Sequence, residues 1–170
     1  MTELVTLLNE IAEGEEDNLY LFVKLACDYA ARVAGNTPSP ARARKWLRAA
    51  RRFREDPDVA SEAARLAKVA VSTILEVGDA RSRSIAAIRA IDWATTLAVT
   101  WVGAQTLTGD VSRASWVADF AQAASVDPEA ECAWQLKHTL QVMKRAGVGV
   151  QVAEWGLVFG ARSRISLLAC

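Results

Sequence analysis

Three of the four prolines in this 170-residue chain stand at the head of an apolar pattern, each directly after a residue able to cap a helix, at Ser39-Pro40, Asp56-Pro57 and Asp127-Pro128. Proline suits the first position of a helix because the N–H it lacks would have no intrahelical partner there. The Ser or Asp before it can accept a hydrogen bond from the exposed first turn. Each dipeptide therefore marks a helix start, and an apolar pattern of helical period follows each one. Gly35, Gly78 and Gly147 stand where the intervening patterns stop, as the position just past a helix end favours. A chain punctuated in this way folds as short helices joined by tight turns, which predicts a single mostly all-α bundle.

The same signals divide the rest of the chain. Thr2 caps a first helix with Leu4, Leu7, Leu8 and Ile11 at helical spacing, closed by Gly14. Asn18 opens a second, with Leu19, Phe22, Val23, Ala26, Ala30 and Val33 on one face, ending at Gly35. The third runs from Pro40, capped by Ser39, to about Glu55, and the fourth from Pro57 to Gly78. A fifth extends from about Ala80 to Leu107, bent near Gly103, and a sixth from about Val111 to Ala124. The seventh starts at Pro128, turns Ala133, Leu136, Leu140 and Met143 inward and stops at Gly147. From Gly147 onward Val148, Val150 and Val152 alternate with period two, and four of the nine glycines, Gly147 included, fall in this stretch. The expectation is a helical domain over 1–147 and a tail over 148–170 that forms a small β hairpin or docks in extended form.

Composition narrows the function classes. Hydrophobic residues make up 52% of the chain and charged ones 24%, the mix of an ordinary globular domain. Twenty basic residues balance twenty acidic ones, which removes the broad positive field of a general nucleic-acid binder. Cys27, Cys132 and Cys170 are odd in number and form no CxxC pair, which suggests neither a disulfide framework nor a cysteine zinc site. That usage, with an acidic N-terminus lacking a basic leader region, predicts a cytoplasmic protein. The longest uncharged run, 93–109, is too short and too rich in Thr to span a bilayer. His138 is the only histidine, and GxGxxG, GxxxxGK[ST], GxSxG and HExxH are all absent. No cofactor, no metal site and no catalytic residue is expected.

Charge is distributed unevenly along the chain. Between Arg42 and Arg54 the third helix carries seven of the twenty basic residues, namely Arg42, Arg44, Lys45, Arg48, Arg51, Arg52 and Arg54. They cover a broad face beside a narrower stripe of Ala43, Trp46, Leu47, Ala50 and Phe53. Such a face is either solvated and paired with neighbouring carboxylates or meets an anionic partner. Glu3, Glu10, Glu13, Glu15, Glu16 and Asp17 precede the first basic residue, and this acidic start could lie against the arginine helix or meet a basic partner. Asp92 is the one carboxylate falling on an apolar face, near Ile85, Ile88 and Val99, and a buried carboxylate there needs a partner, either Arg89 one turn earlier or an arginine from another helix. Of six tryptophans, Trp93, Trp116 and Trp134 fall off the main apolar stripes, and tryptophan is favoured in interface hot spots.

Read together, ARARKWLRAARRF, an alanine-rich helix, RSIAAIRAIDWA and ECAWQLKHTL resemble the alanine-rich helical immunity proteins of bacterial toxin systems. The likeness covers about Cys27 to Met143, lacks the additional histidines of that family, and carries over no site residue. It implies a small cytoplasmic protein that binds and blocks a partner without breaking a bond. On the residues themselves, the partner-binding candidates are Arg44, Arg48, Arg51 and Arg52, with Trp46 or Trp116 as anchor. Two alternatives stand beside this one. The first is a small helical subunit that contacts nucleic acid through the basic helix 42–54. The second is an enzyme or small-ligand domain built round Asp92.

Overall fold

The computed structural model describes residues 3–13, 20–77, 83–100 and 107–148. Among the described residues the chain forms seven α-helices and no strand: α1 Glu3–Ala12, α2 Tyr20–Val33, α3 Pro40–Arg51, α4 Pro57–Val77, α5 Arg83–Thr100, α6 Leu107–Ala124 and α7 Pro128–Ala146. A short 3-10 turn, Ala34–Asn36, follows α2. The all-α bundle is as expected. Beyond Val148 the alternating tail lies outside the described residues, as do Thr2, Gly14, Asn18, Gly78 and Gly103.

The local signals act with different strength. Asp127 accepts a bond from the Ala130 amide, and Gly147 closes α7 in the left-handed conformation at φ 74° that glycine adopts without steric cost. Asp56 likewise accepts from the Val59 amide at 3.3 Å. Ser39 holds the cap position of α3, but its hydroxyl makes no cap bond, so the fixed φ of Pro40 carries that start. Helix α3 ends at Arg51 rather than near Glu55. The amides of Arg52 and Phe53 turn to Ala49 and Ala50, and this tighter winding brings the chain to Pro57, whose ring disfavours helix before it. Leu107 begins α6 instead of ending α5.

Helix α2 is the axis of the bundle, packed on α3, α5, α6 and α7. It is buried almost all round rather than on one face, with Leu21, Phe22, Val23, Leu25, Ala26, Cys27, Tyr29, Ala30 and Val33 inside. A helix apolar on every side must be surrounded. Its exposed exceptions, Lys24 and Arg32, and the half-buried Asp28 and Ala31 between them make one stripe toward α3 and α7. Helix α1 lies on α6 and α7, while α3 packs on α2, α4 and α5. None of the described α1 carboxylates pairs with an α3 arginine. No described helix is long and apolar enough to cross a membrane.

Candidate functional site

Helix α3 buries Ala43, Leu47 and Ala50, and the 100° step per residue then fixes where its cations point. Arg44, Arg48 and Arg51, at i, i+4 and i+7, share the flank that faces α2. With Ala31, Ala41 and Leu47 they line a groove of about 480 Å³ between the two helices. Its lining combines the apolar Ala31, Ala41 and Leu47 with the three arginines. Among the described residues Arg44 and Arg48 have no ion-pair partner. Two unpaired cations on one flank favour a bound anion, which both stabilise.

Arg51, the third cation of the groove, is already paired with a carboxylate of α2. Arg51 Nη2 donates to Asp28 Oδ1 at 2.6 Å and lies 3.5 Å from the Cys27 carbonyl oxygen. Asp28 Oδ2 accepts from Lys24 Nζ at 2.7 Å and meets His138 Nε2 at 2.8 Å. Burial pushes the Asp28 carboxyl up, but the bonds from Lys24 and His138 and the charges of Lys24 and Arg51 outweigh it and hold the carboxyl below its ordinary value. His138 stacks on Trp134 with ring centroids 4.6 Å apart, and the Arg32 guanidinium sits 4.2 Å from the Trp134 centroid. Arg32 Nε in turn donates to Glu131 Oε2 at 2.7 Å.

Behind this cluster α7 presents a polar stripe to the interior, Glu131, Gln135 and Thr139, where an apolar one was expected. Ala133 faces solvent and Leu136 and Leu140 are half-buried; of the four residues expected inside, Met143 is the buried one. Every member of the polar stripe is satisfied. Gln135 Oε1 accepts from Gln122 Nε2 at 2.9 Å, its Nε2 donates to the Ala118 carbonyl at 3.2 Å, and Thr139 bonds the Tyr29 hydroxyl.

The other candidates are dispersed. Arg52 points away from the groove and pairs with Glu55 across an exposed i, i+3 contact. Trp46 is half-buried against the core. Trp116, 44% exposed on α6, meets Trp93 edge-on with centroids 4.8 Å apart. Sequence reasoning missed Asp28, although a lone acid inside an apolar α2 was as visible a signal as Asp92 in α5.

Asp92 and Arg89 do not form the expected pair. Arg89 lays its guanidinium over the Phe120 ring, 5.6 Å from the centroid, and Asp92 Oδ1 is buried with no hydrogen-bond partner. Burial pushes the Asp92 carboxyl up, and the Lys68 charge on α4 draws it only partly back. A carboxyl raised in the folded state stabilises the fold below the unfolded pKa, and that stability is lost as pH rises through the folded pKa. Asp92→Asn is therefore expected to raise the thermal midpoint at pH 7, with the advantage shrinking as pH falls and gone below about pH 4. Melting curves of both proteins at the two pH values check this, and an unchanged or lower midpoint at pH 7 contradicts it.

Among the described residues no group of three or more His, Cys, Asp or Glu side chains could hold a metal ion. No family model, curated protein or solved structure matches the chain, so the groove between α2 and α3 stands on its own chemistry.

Proposed function

We propose that this protein is a non-enzymatic binding module of the immunity type, which holds an acidic segment of a partner protein in the groove of Arg44, Arg48 and Arg51. The observation that carries the reading is the pair Arg44 and Arg48, one turn apart in a groove they line with Ala31, Ala41 and Leu47, with no carboxylate of their own among the described residues. Arg52 and Arg65 are occupied by Glu55 and Glu62 on their own surface, whereas Arg44 and Arg48 remain open to a partner's carboxylates. Leu47, Ala31 and Ala41 give the partner's apolar atoms a place to sit, so the contact combines charge with burial. Trp46 and Trp116 are not needed as anchors in this arrangement.

The test is a pull-down from native lysate by the wild-type chain and by the charge reversal Arg44→Glu with Arg48→Glu, each with and without nuclease. The expected result is a stoichiometric protein that survives nuclease and is lost with the reversal, its affinity falling about 10- to 100-fold. Retention that nuclease abolishes moves the reading to nucleic acid. Retention that the reversal leaves intact rejects this groove as the contact.

A further inference from the structure

We infer that Asp28 is a specificity-determining residue of the groove, a resident carboxylate that a partner must displace from Arg51. The inference rests on the reading that the groove takes carboxylates. Its geometry divides the work of the Asp28 carboxylate between two oxygens. Among the described residues Oδ1 serves Arg51 alone at 2.6 Å, whereas Oδ2 is shared by Lys24 and His138 at 2.7 and 2.8 Å. Withdrawal of Arg51 therefore leaves Asp28 anchored and still compensated, so the exchange strands no unpaired buried charge.

Arg51 has the matching freedom. It is exposed enough to line the groove beside Arg44 and Arg48, and Nη2 carries both its bond to Asp28 and its long contact with the Cys27 carbonyl. Arg44 and Arg48 lie about 6 Å apart along the helix axis, since each residue rises about 1.5 Å. A partner with two carboxylates at that spacing meets the two unpaired arginines. A partner with a third, one turn further on, gains Arg51 only by taking the place of Asp28. Asp28 thus lowers the affinity for every anion and sets how densely charged a segment must be to fill the whole groove.

The probe is a fluorescein-labelled hexaglutamate peptide titrated into the full chain at low salt and followed by anisotropy. Asp28→Asn, close in shape to the native residue, is expected to tighten binding about five-fold, and Arg51→Gln to weaken it by a similar factor. The double variant Asp28→Asn with Arg51→Gln is expected to bind as Arg51→Gln alone does, because the gain passes through Arg51. A gain that persists without Arg51 means Asp28 acts only through its long-range field and overturns the inference, as does an unchanged affinity in Asp28→Asn. If Asp28→Asn does not fold, Arg51→Gln decides, since an arginine locked on Asp28 contributes nothing to the probe. Loss of probe binding in Arg44→Glu with Arg48→Glu, alongside no effect at Asp28 or Arg51, upholds the groove and rejects the displacement. A wild-type chain that does not bind hexaglutamate rejects both.

Discussion

Phe22→Ala is expected to cost about 3–5 kcal/mol of folding stability, the range for deleting a fully buried phenylalanine ring. Phe22 is 0% exposed and lies on α2, the helix that α3, α5, α6 and α7 all pack against. Its removal strips contacts from the centre of the bundle, and the surrounding helices cannot close the void without moving together. Typical domains are stable by only about 5–15 kcal/mol, so the variant stands near the edge of folding. Urea unfolding followed by circular dichroism measures the change. A loss below about 1 kcal/mol would mean that α2 is not the centre of the core. Because Ala31 of the groove and Asp28, the partner of Arg51, belong to the same helix, the variant also loosens the α2 side of the groove.

Arg32→Ala carries the second large expected effect. The Glu131 side chain is 3% exposed and receives Arg32 Nε at 2.7 Å, leaving Gln135 at 3.4 Å as its remaining side-chain donor once Arg32 is gone. Stranding a buried charge costs about 3–5 kcal/mol when both partners are inside. The Arg32 side chain is 42% exposed, and solvent screening reduces the expected loss to about 2–3 kcal/mol. The guanidinium also covers the Trp134 ring, so part of the loss is packing. Glu131→Gln in the same background is expected to restore part of the stability by removing the orphaned charge. Chemical denaturation of the single and double variants measures the coupling. A cost below about 0.5 kcal/mol in Arg32→Ala would show that Glu131 does not depend on this ion pair.

What could be read from the sequence was what short-range chemistry decides. The starts of α3, α4 and α7 are written in Ser39-Pro40, Asp56-Pro57 and Asp127-Pro128, because proline geometry and capping act within one turn. The boundary between α5 and α6 was placed several residues too late, between Leu107 and Val111, since the uncharged run from Trp93 onward holds no proline to stop the apolar pattern sooner. The inward stripe of Glu131, Gln135 and Thr139 was invisible for a different reason. Its partners Arg32, Gln122 and Tyr29 are supplied by other helices, and a polar residue is read as outward until its partner is known.

The site was legible to the same depth. Arg44, Arg48 and Arg51 share a helix flank by spacing alone, but only the docking of α3 on α2 separates them from Arg52 and turns a basic face into a groove. Asp92 drew attention as an isolated acid, while Asp28, with a similar signature in α2, is the carboxylate that the fold brings to the arginines. The difference lies in what packs opposite each acid. Lys68 reaches Asp92 only through its field, whereas Lys24, Arg51 and His138 converge on Asp28 directly.

The central claim is that the groove between α2 and α3 binds acidic protein segments. Titration of isotope-labelled protein with hexaglutamate, followed through backbone and arginine side-chain NMR shifts, tests it most directly. The account predicts saturable shifts at Ala31, Ala41, Arg44, Leu47, Arg48 and Arg51 that weaken as salt is added. Shifts gathered instead round Trp116 on α6, or spread evenly over every exposed lysine and arginine, would contradict it.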